Sequence, residues 1–236
     1  MEARILRDAK AIQVTSDVWQ ELLCKRMPDL CAKVQVLTNG YPQHMPEPQP
    51  RTVRGRDEEL VLIHAGRFSG SDTRRTPDIL LKPLLKNLSL HPVKGVIRLI
   101  GPLSDDELKL IEPFKPEFQT IGWRIECPGS MPRHELLKLL QQADGLLLLS
   151  ASYAAIPSKL FEYIPTGRPI FVVTEKYSAT WRICEILEQV FLMDIFSNRN
   201  MPFFLQNTMC FTGNRAIPLT YHEDSLKVLF KNTFVK

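Results

Sequence analysis

The chain has 236 residues, of which 44% are hydrophobic and 24% are charged, and its formal net charge is +4. This composition is typical of an intracellular α/β protein, and the excess of positive charge is slight. No apolar run is long enough to cross a bilayer and the amino terminus is charged, so the sequence predicts no transmembrane segment, no secretory leader and a cytoplasmic location.

Residues 42–56 are rich in proline and charge, with Pro42, Pro46, Pro48 and Pro50 spaced to favour an extended connector. The sequence therefore predicts a first segment of residues 1–56 that ends in a linker. A compact domain of residues 57–196 follows, and residues 197–236 form a tail that the pattern does not assign.

Short apolar runs alternate with helical segments through the compact domain, which predicts an α/β fold built on a doubly wound parallel sheet. The helix after the first run has an apolar stripe that would pack on this sheet. The predicted strands lie near Leu60, Val96, Ile125, Gly145 and Ile170.

The segment from Gly145 to Val173 carries the most information about function. Gly145 to Leu149 is an uninterrupted apolar run, typical of a strand inside a parallel sheet. Pro157 suits the first turn of a helix, and Gly167 suits its end in a left-handed conformation. The predicted unit is strand, loop, helix and strand.

Two charged residues lie at the start of this helix. Lys159 is in the first turn, where the helix dipole disfavours a cation by about 0.3 to 1 kcal/mol unless an anion is near. Glu162, three residues later, shares its face, so a lysine for phosphate and an acceptor for a ribose diol would be adjacent. The alternative is a weak surface ion pair.

Several short motifs follow one another along the chain. They are AIQVTSDVWQELL (11–23), VQVLTNGY (34–41), HAGRF (64–68), CPGSMPRHEL (127–136), AD (143–144) and PSKLFEYIPTGRPI (157–170). In this order they resemble the donor-binding half of retaining glycosyltransferases with the GT-B fold, the group 1 or family 4-like transferases. This resemblance implies a Rossmann-like half-domain that binds a nucleoside diphosphate sugar and transfers a hexosyl unit.

Carried over residue by residue, the resemblance implies that Gly66 and Arg67 contact the donor diphosphate together with Ser158 and Lys159. Arg67 and Lys159 would neutralise the leaving diphosphate and are the expected catalytic residues. Glu162 would bind the ribose.

The nucleobase would be held by backbone groups of Gly129, Ser130 and Met131. The family has a second glutamate eight positions before Glu162, and this chain has Ala154 there. Ser152 and Tyr153 are the polar residues that could replace it.

The resemblance also implies that a partner is needed. The first 56 residues resemble the end of an acceptor domain and the crossover that follows it, with Asn39 and Gly40 at the crossover. The expected partner is a separate acceptor-domain protein or a second copy of the chain.

No cofactor or metal is expected, because no Asp-x-Asp and no metal-ligand spacing occurs. The arginines near residue 74 lack the aromatic interleaving of a nucleic-acid surface, although Arg74 or Arg75 could reach a diphosphate. His64 is expected to be structural. Five cysteines without a CxxC pair predict reduced thiols.

Two other functions remain open at this stage. The missing glutamate is compatible with a non-catalytic nucleotide-sugar-binding or interaction protein derived from a transferase. A nucleotide-sugar 2-epimerase-like enzyme would share the fold, but it needs catalytic carboxylates that the sequence does not offer.

Overall fold

The computed structural model describes residues 2–41, 58–70 and 72–196. The strands are β1 (Ile12–Val14), β2 (Val34–Val36), β3 (Leu60–Ala65), β4 (Gly95–Ile100), β5 (Trp123–Gly129), β6 (Gly145–Ser150), β7 (Ile170–Thr174) and β8 (Val190–Asp194). The helices are α1 (Glu2–Asp8), α2 (Asp17–Arg26), α3 (Pro77–Leu88), α4 (Asp105–Ile111), α5 (Phe114–Thr120), α6 (Arg133–Gln142), α7 (Ser158–Tyr163) and α8 (Ala179–Cys184). Short 3₁₀ turns cover Pro28–Lys33 and Ile164–Thr166. No helix in these ranges is long and apolar enough to cross a membrane.

Within the described residues, six strands form one parallel sheet in the order β5-β4-β3-β6-β7-β8. The predicted doubly wound sheet is confirmed. The strand order reverses between β3 and β6, and ligands of such sheets bind outside the carboxyl ends of the strands at this switch point. The predicted site residues come mainly from the two segments that leave β3 and β6.

Both faces of the sheet are covered, which explains the unbroken apolar run of β6. Leu146 and Leu148 belong to the core on the face of α7 and α8, whereas Leu147 and Leu149 belong to the core on the face of α3 and α5. Successive side chains of a strand point to opposite faces, so a strand covered on both sides must be apolar throughout.

β8 was not predicted from the sequence. It pairs with β7 alone, from Ile170↔Val190 to Thr174↔Asp194, and of its five residues only Met193 is buried. An edge strand has weaker constraints on its side chains, and its sequence pattern is correspondingly weak.

The first segment packs on the domain. β1 and β2 form a separate parallel pair joined by α2, and Val18 and Tyr41 are buried in the core beside α7. Arg182 of α8 binds Asp17 at 2.9 Å and Glu21 at 2.6 Å. The boundary between residues 1–56 and 57–196 stays a prediction, and the linker and tail expectations fall mostly or wholly on residues outside the described ranges.

The expectation of reduced thiols is wrong for one pair. Cys24 and Cys31 form a disulfide between α2 and the following 3₁₀ turn, with their Cα atoms 4.9 Å apart. The chain reverses at Met27 and Pro28, which brings the two cysteines together. Cys127 and Cys184 are free thiols.

Candidate functional site

A cavity of about 510 Å³ lies at the switch point of the sheet. We call it the sheet-edge cavity. Its walls are residues 65–67, 70, 72 and 75 from the end of β3 onward, residues 150, 152 and 155–159 from the end of β6 onward, and Asn39 of the first segment. Of the residues predicted from the sequence, the cavity brings together Gly66, Arg67, Ser152, Ser158 and Lys159.

Lys159 and Glu162 form a direct pair at the edge of this cavity. The Lys159 Nζ donates to Glu162 Oε2 at 2.8 Å, and the side chains are 32% and 15% exposed. The other carboxylate oxygen, Oε1, lies 3.5 Å from Nη2 of Arg133, the first residue of α6. Glu162 itself is not among the lining residues, and the described structure connects it to the cavity through its contact with Lys159.

Hydrogen bonds to neighbouring elements hold the end of β3 and the residue after it as the chain enters the cavity. Gly66 has φ +113, and its N–H donates to the Ile100 carbonyl at 2.7 Å. The preceding N–H, of Ala65, donates to the buried phenol oxygen of Tyr163 at 2.8 Å. The chain therefore turns at Gly66 between α7 and β4, and the next residue is presented to the cavity.

Arg67 is exposed and lines the cavity. Its Nε donates to the Pro102 carbonyl at 3.0 Å, and no described residue accepts from its Nη atoms. A guanidinium carries five N–H donors in a planar fork, so four remain for a ligand. A β-carbon on Gly66 would lie 3.8 Å from Lys159 Cε, which places the Lys159 side chain directly beside the Gly66–Arg67 turn.

Arg75 also lines the cavity, and Arg74 does not. Arg74 is exposed, and its Nε and Nη2 donate to Oδ1 and Oδ2 of Asp72 at 3.0 and 2.8 Å. Hydrogen bonding from this guanidinium holds the pKa of Asp72 below its usual range. Sequence reasoning did not single out Asp72 or Ser150, since neither stands in a quoted motif, and it assigned Asn39 to the crossover rather than to the lining of a cavity.

Besides Glu162, four predicted residues do not line the cavity. Gly129 ends β5 with φ +82, and its carbonyl accepts from Gly101 N–H at 3.0 Å. Met131 packs against the core beside α7, and Ser130 is not part of the lining either. Tyr153 is 37% exposed, and its carbonyl accepts from Ala179 N–H at 2.8 Å. Their proposed contacts with a base or a sugar stay predictions.

Ala154 belongs to the core. It is 7% exposed, and its carbonyl accepts from the buried Ser16 hydroxyl at 2.5 Å. Residue 154, where the family that the motifs resemble has a glutamate, therefore fastens the loop between β6 and α7 to the first segment. Ser152, two residues earlier, lines the cavity while its Oγ accepts from Ala155 N–H at 3.0 Å.

His64 is a structural residue. It is 5% exposed, its Nδ1 lies 3.0 Å from the Leu147 carbonyl, and its ring stacks on Phe68 with centroids 4.2 Å apart. Burial lowers the pKa of His64 to about 4. The neutral ring donates from Nδ1, and Nε2 has no partner among the described residues.

A second cavity of about 300 Å³ lies between α3 and the end of β8. Its lining includes Lys82, which is paired with Asp78 at 3.0 Å. Within residues 2–41, 58–70 and 72–196, no three His, Cys, Asp or Glu side chains are grouped as a metal site requires.

Solved structures with the same fold are GT-B glycosyltransferases. The chain aligns with HepE of Anabaena in complex with UDP at a TM-score of 0.70 and 15% identity, over 96% of this chain and 64% of that one. Sucrose-phosphate synthase from Thermosynechococcus elongatus aligns at a TM-score of 0.70 and 15% identity, over 99% of this chain and 60% of that one. The apo form of the lipopolysaccharide outer core galactosyltransferase WaaB aligns at a TM-score of 0.66 and 15% identity, over 96% of this chain and 62% of that one.

At these identities the likeness shows the fold, and the chain spans about three fifths of the length of each of these proteins. No protein-family model matches the sequence, and no curated protein is similar to it at a significant level. The GT-B half-domain that the motifs predicted is the fold of this chain.

Proposed function

We propose that the chain binds a nucleoside diphosphate sugar in the sheet-edge cavity and serves as the donor-binding part of a hexosyl-transferring glycosyltransferase. The observation that carries this proposal is the arrangement of Lys159, Glu162 and Arg67 at the switch point of the sheet. Two cations flank a cavity, and a carboxylate stands at its rim.

The cations suit a diphosphate. The Lys159 ammonium has three donors and uses one on Glu162, so it can keep this bond while it donates to phosphate oxygens. The guanidinium of Arg67 can bind two phosphate oxygens at once. Because α7 has only six residues, we assign the stabilisation of the leaving diphosphate to these two side chains rather than to the helix dipole.

Glu162 suits the ribose. Its oxygens contact Lys159 and Arg133, and each oxygen can accept a further hydrogen bond from a ribose hydroxyl. HepE, which shares this fold, was solved with UDP.

In the proposed reaction, Arg67 and Lys159 neutralise the departing diphosphate while the hexosyl unit passes to an acceptor with retained configuration. The acceptor side would come from chain beyond this half-domain or from a partner. We further propose that the transfer needs no metal, since the two cations supply the positive charge that the leaving group requires.

A second candidate function is nucleotide-sugar binding without transfer. Ala154 favours it, because that position carries a carboxylate in the resembling family and here is buried in the core. Among the described residues that line the cavity, Asp72 alone has a carboxylate, and Arg74 occupies it.

Calorimetric titration with UDP, GDP and ADP tests the shared part of both candidates. Lys159→Ala should weaken binding about 10- to 150-fold, as expected for loss of a charge-assisted hydrogen bond. Glu162→Ala should weaken it about tenfold. Lys109→Ala is the matched control, since Lys109 is an exposed lysine in an i,i+3 pair with Asp106 on α4, outside the cavity.

Undiminished binding in both variants would refute the site. A sugar nucleotide assay separates the two candidates. A transferase donor site should slowly release nucleoside diphosphate from UDP-glucose, GDP-mannose or ADP-glucose in the presence of water, and Arg67→Ala should abolish this release. A protein that binds a donor without hydrolysing it would be the non-catalytic alternative.

A further inference from the structure

The segment that carries Gly66 and Arg67 is fastened to a buried carboxylate outside the cavity. Glu107 Oε1 accepts from Phe68 N–H at 3.0 Å, from Ser69 N–H at 2.7 Å and from the Ser69 hydroxyl at 2.8 Å. Glu107 is 3% exposed and does not line the cavity. Three donors from one turn of chain thus converge on one oxygen.

The other oxygen of Glu107 has a different task. Oε2 accepts from Ser104 N–H at 2.8 Å, and Ser104 Oγ accepts from Glu107 N–H at 3.3 Å, which together form a capping box at the start of α4. One carboxylate therefore ties the helix start to the turn after β3. Its four donors require the ionised form, because a protonated oxygen would place a hydrogen among donors.

The turn is held on both sides of Arg67. The Ala65 and Gly66 N–H groups are bonded to Tyr163 and Ile100, and the Phe68 and Ser69 N–H groups to Glu107. Arg67 stands between these anchors, and its own Nε is bonded to Pro102. Removal of the Glu107 anchor would release one side of the turn and let the guanidinium leave its place.

We propose that Glu107 is a positioning residue for diphosphate binding, which acts by ordering the Gly66–Ser69 turn so that Arg67 faces the ligand. This inference rests on the proposed function. Glu107 touches no ligand in this role, and the four donors stabilise its charge outside the cavity.

Glu107→Gln separates the two tasks of this side chain. Glutamine is compatible with a capping box, so its carbonyl can keep the Ser104 bond, but its NH₂ group then faces the three donors of Phe68 and Ser69. Ser104→Ala does the reverse, because it removes the cap and leaves Oε1 on the turn. Ser69→Ala removes only the hydroxyl and is the milder variant if Glu107→Gln folds poorly.

The test compares a nucleoside diphosphate with its monophosphate by calorimetry, using whichever of UDP, GDP and ADP the wild type binds best. Glu107→Gln should weaken diphosphate binding about tenfold and change monophosphate binding less than about twofold. Ser69→Ala should weaken diphosphate binding less than Glu107→Gln does. Ser104→Ala should lower the melting temperature and leave both affinities unchanged.

Hydrogen exchange of the ligand-free protein gives a second readout. Glu107→Gln should accelerate exchange at the Phe68 and Ser69 amides, whereas Ser104→Ala should not. Equal loss of both affinities, or unchanged diphosphate binding, would overturn the proposal. If the wild type binds no diphosphate, the proposed function is refuted, and with it the role of the turn in diphosphate binding. If exchange at the Phe68 and Ser69 amides is unaltered in Glu107→Gln, the anchoring of the turn by Glu107 is refuted, whatever the wild type binds.

Discussion

Gly101 lies directly behind Gly66, so closely that a β-carbon on Gly101 would stand 2.9 Å from the carbonyl carbon and oxygen of Gly66. Both glycines have positive φ, +150 and +113. The turn after β3 and the turn after β4 therefore pack backbone against backbone, and no side chain fits between them.

Gly101→Ala should push the Gly66 turn out of place and weaken diphosphate binding about tenfold or more. The matched control is Gly122→Ala, since Gly122 also has positive φ, +79, but its β-carbon would meet the flexible Lys94 side chain at 3.1 Å. Both variants should lose about 1 to 2 kcal/mol of stability from the left-handed backbone. Calorimetry and chemical denaturation measure the two effects, and equal affinities in the two variants would contradict the prediction.

Ala154→Glu should destabilise the protein and restore no activity. Ala154 is buried in the apolar core, and an unpaired carboxylate there costs several kcal/mol or shifts the loop. Ala155→Glu is the comparison, because Ala155 lines the cavity and is partly exposed. That variant should keep its stability and bind diphosphate more weakly through charge repulsion. Denaturation curves that rank the two variants in the opposite order would show that residue 154 faces the cavity.

Stability should depend on pH through His64. Its pKa is about 4 in the folded protein and about 6.5 when unfolded, so the unfolded state binds more protons between these values. The contribution of His64 to the free energy of unfolding is fully present above about pH 6.5 and falls as pH drops toward 4. It amounts to about 3 kcal/mol at most. Denaturation at pH 7.5 and pH 5 should show a larger loss for the wild type than for His64→Gln. Parallel losses in the two proteins would mean that His64 is not buried in its neutral form.

Ser16→Ala should loosen the first segment from the domain. The Ser16 hydroxyl caps α2, accepting from Trp19 N–H at 3.0 Å, and donates to the Ala154 carbonyl. The variant loses the helix cap and leaves the Ala154 carbonyl without its donor, which together should lower the free energy of unfolding by about 2 kcal/mol. Arg182→Ala should cost less, because its ion pairs with α2 are solvent-exposed. Thermal unfolding and amide exchange of residues 17–26 provide the measurement, and a larger effect of Arg182→Ala would reverse this ranking.

The sequence by itself determined five of the six strands of the large sheet and the helix start that carries Lys159. A short unbroken apolar run such as β6 predicts a strand that is buried on both faces of a parallel sheet. Pro157 and Gly167 mark the ends of the following helical segment through their backbone preferences. The spacing of Lys159 and Glu162 on one helical turn likewise requires no tertiary information. These are local effects, and a local pattern is enough to predict them.

Only the tertiary structure decided which other residues share the cavity. Asn39 arrives from the first segment, Arg75 faces the cavity while Arg74 is held by Asp72, and Ala154 points into the core. The disulfide of Cys24 with Cys31 depends on a chain reversal, and the bonds of Glu107 to a turn 38 residues away depend on the packing of α4 against α3 and α5. Contacts between distant segments are set by the closure of the whole fold, which no single motif encodes.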